Sequence, residues 1–239
     1  DLKLNEKIFN YIKNFEPNIV IHLAWEKIPD FSKEMCNKNF YKTKLFFKKI
    51  LKINSIKKII VSGSCFEYYN KSGKKKESNK TNLRDNFPKT KNKIYNFLKK
   101  NCNKDLSLAW FRIFFAYGPG QRKGSLIPML MNSFKGEKKV EIKTPQLSND
   151  YIYVDDIVNV IINSTNIKFK SGIYNLGSGK YTKTIDIIKQ IEKIKKKKLN
   201  LLLGNNNKKN IFFANMDKTI KTFQYKKFID IKKGIRNLI

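Results

Sequence analysis

The chain has a single histidine, His22, among its 239 residues. Its three cysteines (Cys36, Cys65 and Cys102) form no C-x-x-C pair and leave an odd thiol. Chemistry built on histidine clusters, a zinc site or a disulfide framework is therefore not expected. Arginine occurs only at positions 84, 112, 122 and 236, and acids number 19 against 51 Lys plus Arg. No apolar run approaches the roughly 18 to 20 residues that a membrane span needs, and no signal-peptide pattern opens the chain. What remains is 41% hydrophobic and 13% aromatic, too apolar for a disordered chain. The expectation is a soluble, cytoplasmic, globular protein, as one large domain or two small ones sharing a core.

The formal net charge of +32 suggests, at face value, a polyanion partner. All but four of the positive charges are lysine, whereas a grip on nucleic acid favours the bidentate fork of arginine. Lys, Asn and Ile are all abundant, as in Asn205-Asn206-Asn207 and Ile59-Ile60, and all three belong to A/T-rich codons. A genome-wide base bias explains the three excesses together and is the preferred reading. A functional electropositive surface is the alternative, and nucleic acid is not an expected partner.

Helix and strand patterns alternate. Apolar residues at positions 4, 8, 9, 11 and 12 predict an opening helix that stops before Pro17 and feeds the run Ile19-Val20-Ile21-His22-Leu23-Ala24. A helix is predicted over 33–53, with Phe40, Leu45, Phe46 and Ile50 on one face. It leads to a buried strand over 58–62, a polar loop with Lys74 to Lys76, a helix over 87–100 and a strand over 106–113. Tyr117-Gly118-Pro119-Gly120 is a turn signal, followed by a helix over 124–135 and a strand over 139–143. A helix opening at Asp150–Asp156 runs to about residue 165. A strand over 173–176, a helix over 184–195, a strand over 201–203 and a closing helix over 228–238 complete the chain. Lys195 to Lys198 reads as a solvated helix end. Short apolar strands separated by helices imply right-handed crossovers and a parallel sheet.

In such a sheet ligands sit beyond the carboxyl ends of the strands. Leu23, Ala24, Ser62, Ser64 and Ile113 lie at or just after predicted strand ends, where a hydroxyl can hydrogen-bond a substrate oxygen as it gains or loses a proton. His22 reads as a packed strand-end histidine. Trp25 either stacks on a ligand or covers the sheet edge. Asp155 and Asp156 open a helix, so favouring the macrodipole is their expected role, ahead of acid/base work.

Five segments, in order, resemble the extended short-chain dehydrogenase/reductase superfamily, the NAD-dependent epimerase/dehydratase group acting on nucleotide sugars. They are Val20-Ile21-His22-Leu23-Ala24-Trp25, Ser62-Gly63-Ser64-Cys65-Phe66-Glu67-Tyr68, Arg112 to Gln121 (R-I-F-F-A-Y-G-P-G-Q), Asp150 to Asp156 (D-Y-I-Y-V-D-D) and Tyr174-Asn175-Leu176-Gly177-Ser178-Gly179. The resemblance implies an α/β fold: a partial Rossmann-type, doubly wound parallel sheet with a small interleaved C-terminal substrate-binding part. Residues 1–119 would be the remainder of the dinucleotide-binding domain and 120–239 mainly the substrate-binding part, with about 150–177 returning to the main sheet. It also implies NAD or NADP as cofactor, no metal, and a nucleotide-sugar substrate that is epimerised, dehydrated or reduced by hydride transfer, for deoxysugar or surface-polysaccharide precursors. The H-L-A-W and G-S-C-F-E-Y segments look most like the 4-ketoreductase and epimerase branch.

Residue by residue, the resemblance puts Ser64, Lys91 and Phe87 at catalytic positions. Leu23, Ala24, Trp25, Lys27, Asn39, Ser62, Lys91 and Ile113 would line the cofactor, and Ser64, Phe115 and Arg122 would meet the substrate. The family pair Y-x-x-x-K places an acid/base Tyr and a ribose-holding Lys on one helix face. Here Lys91 matches, but Phe87 stands at the Tyr position and has no ionisable hydroxyl. Tyr95-Asn96-Phe97-Leu98-Lys99 also fits the spacing and ranks second, two turns later.

Other departures are Asn149 for the family Arg, Phe115 for the family Asn, and the lack of a G-x-x-G-x-x-G turn, which leaves NAD and NADP undiscriminated. The strand at 18–23 would be the family's fourth. The expectation is thus a chain lacking its family's first segment, with weak NAD binding, poor solubility or oligomerisation, and impaired activity. A non-catalytic family member and a Lys-rich polyanion-binding protein are the alternatives, and a homodimer is left open.

Overall fold

The computed structural model describes residues 4–134, 139–204 and 209–239. The helices are α1 (Glu6–Phe15), α2 (Lys33–Ile50), α3 (Asn86–Asn101), α4 (Leu126–Asn132), α5 (Val154–Asn166), α6 (Thr184–Lys195), α7 (Asp217–Phe223) and α8 (Ile231–Arg236). The first six strands are β1 (Ile19–His22), β2 (Lys58–Ser64), β3 (Gly73–Lys75), β4 (Ser107–Ile113), β5 (Phe115–Tyr117) and β6 (Val140–Ile142). The remaining six are β7 (Ser148–Asn149), β8 (Tyr151–Tyr153), β9 (Gly172–Leu176), β10 (Thr182–Lys183), β11 (Leu201–Leu203) and β12 (Ile211–Ala214). Contacts divide the chain into two compact units. One holds residues 1–70, 77–113 and 161–175, and the other holds 71–76, 114–160 and 176–239. No described helix is long and apolar enough to cross a membrane.

The first unit is an α/β layer structure around a sheet in the order β1-β2-β4-β9. β1, β2 and β4 run parallel, with Ile19 opposite Lys58 and Lys58 opposite Ser107. β2 and β4 are central strands, and Ile59, Ile60 and Val61 are buried on both faces, which explains their unbroken apolar run. Ile59, Val61, Leu108 and Trp110 form a core with Phe47 and Ile50 of α2 and Ile94 and Leu98 of α3. Helix α2 starts where the Ser32 hydroxyl accepts from the Met35 amide. It buries Cys36, Asn39, Thr43, Phe47 and Ile50, spaced three and four apart. Leu45, expected on the buried face, is exposed, because its position falls outside that stripe. Helix α3 begins at Asn86, and its early Pro88 lacks an N–H that the first turn leaves unpaired anyway.

The second unit contains the sheet β10-β7-β12-β3 and the two-stranded parallel pairs β11-β6 and β5-β8. Its core joins Tyr117, Ile127, Leu130, Tyr153, Ile187, Ile191 and Ile235. Asp150 sits at its centre as a buried clasp. One carboxylate oxygen accepts from the Ser178 amide and hydroxyl at 2.7 Å each, and the other accepts from the Gly179 amide at 3.0 Å and the Ala214 amide at 3.1 Å. A Cβ on Gly177 would lie 2.4 Å from that second oxygen, so the glycine is what allows the turn to wrap the carboxylate. The fourth and fifth sequence segments are thus two halves of one contact.

Several expectations change. The polar loop over Lys74 to Lys76 begins with strand β3, paired to β12. The closing helix shrinks to Ile231–Arg236, preceded by β12 and α7, and the helix over 124–135 shrinks to Leu126–Asn132, residue 135 lying outside the described residues. Strands of two or three residues carry too few alternations to be read as periodic. Asp155 and Asp156 do stand in the first turn of α5, and the Asp156 carboxylate, which is buried, also accepts from the Tyr225 hydroxyl at 2.6 Å and the Ile229 amide at 2.8 Å.

Asp150→Asn keeps the shape of the clasp but turns an NH2 toward N–H donors. It is expected to cost about 2 to 4 kcal/mol in denaturant unfolding. Unchanged stability would show that the four contacts do not hold the second unit together.

Candidate active site

The carboxyl ends of β1 and β2 and the start of α3 build one polar site within the first unit. After His22, the chain leaves β1 through Leu23 and Ala24, both exposed, then the half-buried Trp25. Asn39 of α2 holds the next residue by both backbone groups. Its Oδ1 accepts from the Glu26 amide at 2.8 Å, and its Nδ2 donates to the Glu26 carbonyl at 3.3 Å and the Met35 carbonyl at 2.9 Å. The Asn39 amide is fully engaged in that staple, so it shapes the turn from beneath. Lys27, in a left-handed conformation, is exposed beyond it.

Lys91 is buried and reaches the end of β2, where its Nζ donates to the Ser62 carbonyl at 2.8 Å. The same ammonium lies 4.6 Å from the Trp25 ring centroid and 5.8 Å from that of Phe87. Burial lowers Lys91 to about 8, against a pull back upward from the Glu67 carboxylate. Phe87, one turn before Lys91, packs edge-on against Trp25 at 4.9 Å and tilted against Phe31 at 4.4 Å, with Phe66 at 6.5 Å. Ser64 ends β2 opposite Ile113 of β4. Its Oγ accepts from the Phe66 amide at 3.2 Å and caps a single 3-10 turn over Cys65–Glu67.

The structure therefore gathers Ser62, Ser64, Phe87, Lys91, Trp25 and Ile113, with Leu23 and Ala24 on the adjoining turn. Phe115 and Arg122 belong to the second unit. There the Phe115 ring packs on Tyr151 at 5.7 Å and Phe212 at 6.3 Å, while Arg122 is exposed. Tyr95 and Lys99 lie at the other end of the first unit's sheet. They line a cleft of about 320 Å³ with Cys102, Leu106 and Leu108, beside the start of β4.

Glu67 and Arg112, which sequence reasoning left without a role, meet beneath the end of β2, while His22 packs at its strand end as expected. The signal for the first two was a charged residue inside an otherwise apolar stretch. His22 is buried between Phe46 and Phe47, with ring centroids at 5.5 and 5.1 Å, and neither ring nitrogen has a hydrogen-bond partner among the described residues. Burial, helped by the nearby Lys91 charge, lowers it to about 4.

The Trp25 indole N–H is likewise buried and has no partner among the described residues. An unpaired donor, an aromatic face, a buried ammonium and a serine hydroxyl fit the nicotinamide and ribose end of a dinucleotide. The glycine-rich turn that would cradle its pyrophosphate is not in this sequence.

The fold is that of nucleotide-sugar enzymes with Rossmann-type sheets. UDP-glucuronic acid 4-epimerase from Bacillus cereus, solved with NAD, superposes with a TM-score of 0.86 over 99% of this chain and 77% of that one, at 20% identity. ADP-L-glycero-D-manno-heptose-6-epimerase from Helicobacter pylori gives 0.82 over 99% of this chain and 76% of that one, at 18% identity. The chain belongs to the NAD dependent epimerase/dehydratase family, which it matches over residues 1–177. It is 32% identical to dTDP-4-dehydro-6-deoxyglucose reductase of Escherichia coli over 192 residues, 74% of this chain and 60% of that protein. It is 26% identical to CDP-abequose synthase of Salmonella muenchen over 91 residues, 37% of this chain and 31% of that protein. The chain thus matches 60% of the length of the first curated relative and 31% of the second, less than two thirds of either.

Because the folded His22 takes its proton only near pH 4, against 6.5 ordinarily, the unfolded chain binds more protons between those values. Stability is expected to fall by up to about 3 kcal/mol as pH drops through that window, beyond what the carboxylates contribute. His22→Phe should remove that extra slope in urea titrations at pH 6.5 and 4.5, and equal slopes would contradict it.

Proposed function

We propose that this chain carries the nicotinamide- and sugar-facing part of an NAD(P)-dependent enzyme acting on a nucleotide-linked sugar, nearest in kind to a 4-ketoreductase. The observation that carries the reading is Lys91, a buried ammonium fixed on the Ser62 carbonyl and the Trp25 face at the strand ends. The similarity to a dTDP-4-dehydro-6-deoxyglucose reductase supports the substrate class. When bound, the nicotinamide would supply the hydride. Lys91 would hold the ribose hydroxyls and keep positive charge beside the reacting centre. Ser64, whose Oγ already accepts from Phe66, would donate its own proton to the sugar oxygen. Leu23, Ala24, Trp25 and Ile113 would wall the cofactor, Lys27 would lie at its outer rim, and Asn39 would hold the turn that presents Trp25. Phe115 and Arg122 are proposed to meet the substrate, Arg122 through the diphosphate charge.

A second reading, a non-catalytic family member, is favoured by Phe87. Its ring fills the space between Trp25, Phe31 and Phe66 where the family carries an acid/base hydroxyl. Proton transfer by a positioned side chain is worth about 10²- to 10⁴-fold in rate. Phe87→Tyr is therefore expected to raise sugar-dependent oxidation of NADH or NADPH by roughly 10²- to 10³-fold, while Tyr95→Phe leaves it unchanged. Loss of turnover in Tyr95→Phe with no gain in Phe87→Tyr would move the active site to the opposite end of the sheet. No turnover in either protein, with nucleotide sugar still bound, would favour the non-catalytic reading.

A further inference from the structure

Glu67 stands on the 3-10 turn that follows β2, and its carboxylate is completely buried. It accepts from the Ser64 amide at 2.7 Å, from the Trp110 indole N–H at 3.0 and 3.1 Å, and from Arg112 Nε at 3.3 Å. Arg112 is buried too. Its Nη1 donates to the Glu77 carbonyl at 3.2 Å, and its guanidinium lies 4.6 Å from the Tyr68 ring centroid. The Tyr68 hydroxyl donates to Asn175 Oδ1 at 2.5 Å, and the Asn175 amide donates to Glu77 Oε1 at 3.0 Å. One carboxylate is thereby rooted in β4 and, through Tyr68, in β9.

Gly63 lies over this pair. A Cβ there would fall 2.3 Å from the Trp110 indole nitrogen and 2.7 Å from Glu67 Oε1. On either side of Gly63 the end of β2 is held by opposite charges: Lys91 on the Ser62 carbonyl, Glu67 on the Ser64 amide. Burying an ion pair adds little net stability, and well-packed apolar groups of similar volume serve a core at least as well. The placement makes sense as positioning of the residues between the two charges.

We infer that Glu67 is a positioning residue: with Trp110 and Arg112 it fixes the Ser64 backbone, and it is the buried negative charge that offsets the Lys91 ammonium. The inference rests on the proposed function for what Ser64 and Lys91 do, but not for the contacts themselves. Glu67 draws Lys91 upward against the effect of burial; burial raises Glu67, opposed first by Arg112, then by the Ser64 and Trp110 N–H groups and by Lys91. Among the described residues, His22 also feels the Lys91 charge, and it is neutral above its lowered value.

The test is a pH titration of the Lys91 side chain in the full chain, followed by the 13Cε resonance of labelled lysine and assigned with Lys91→Arg. In Glu67→Gln the midpoint should fall by about 1 pH unit, and in Glu67→Asp it should stay closer to that of the unaltered protein. If Glu67→Gln does not fold, Glu67→Gln/Arg112→Met removes both charges together and should still show a downward shift, smaller because the Arg112 cation is lost as well. An unchanged midpoint in a folded neutral variant would overturn the inference. The readout needs neither cofactor nor turnover, so that result would leave the functional proposal standing. Conversely, a shifted midpoint with NADH binding unaffected by Lys91→Met would sink the functional proposal alone.

Discussion

Glu67 lies under the last residues of a central strand, where a carboxylate without partners would cost several kcal/mol in lost hydration. Everything around it answers that cost. Trp110 and Arg112 turn their N–H groups inward from β4, and the Ser64 amide closes the ring from β2. Gly63 is the residue that leaves room for the arrangement, since any side chain would strike the indole. The second and third sequence segments therefore meet in one ion pair, and Ser64 is held through its backbone amide by Glu67 and through its Oγ, which accepts from the Phe66 amide. A hydroxyl held this way keeps its proton for a ligand.

The second constraint is helical geometry. Phe87 and Lys91 face the strand ends from the first turn and a half of α3, whereas Tyr95 and Lys99 follow eight residues later. At 1.5 Å per residue the two pairs are about 12 Å apart along the axis. Tyr95 packs on Trp110 at 5.6 Å and borders the cleft at the start of β4. In a parallel sheet the strand starts are the end away from ligand sites. The spacing Y-x-x-x-K is thus present twice in form, with its lysine at the strand ends only in the first, and there the tyrosine is a phenylalanine embedded in an aromatic cluster.

Much of the first unit was legible because its elements are long enough to show a period. The run Ile59-Ile60-Val61 read as a buried strand, and α3 read nearly to its ends. The second unit was less legible: β3, β7, β8 and β10 have three residues or fewer, and their pairing is decided by partners far along the chain. The site shows the same division. Ser64, Lys91 and Asn39 could be picked out by resemblance, but the contacts of the Asn39 amide with Glu26 and Met35 could not be read from the motif. Glu67 and Arg112 were quoted within motifs without a role, since nothing local reveals that two charges separated by 45 residues share one buried site.

A nicotinamide is proposed to sit at the Lys91–Trp25 corner. Trp25 is half-buried and Trp110 is fully buried, so energy transfer from tryptophan to NADH, titrated into the millimolar range, reads the corner directly. A nicotinamide bound there gives a saturable transfer that is lost in Trp25→Phe and in Lys91→Met and retained in Lys99→Met. Absence of saturable transfer, or a signal that survives Trp25→Phe and disappears in Lys99→Met, would contradict it.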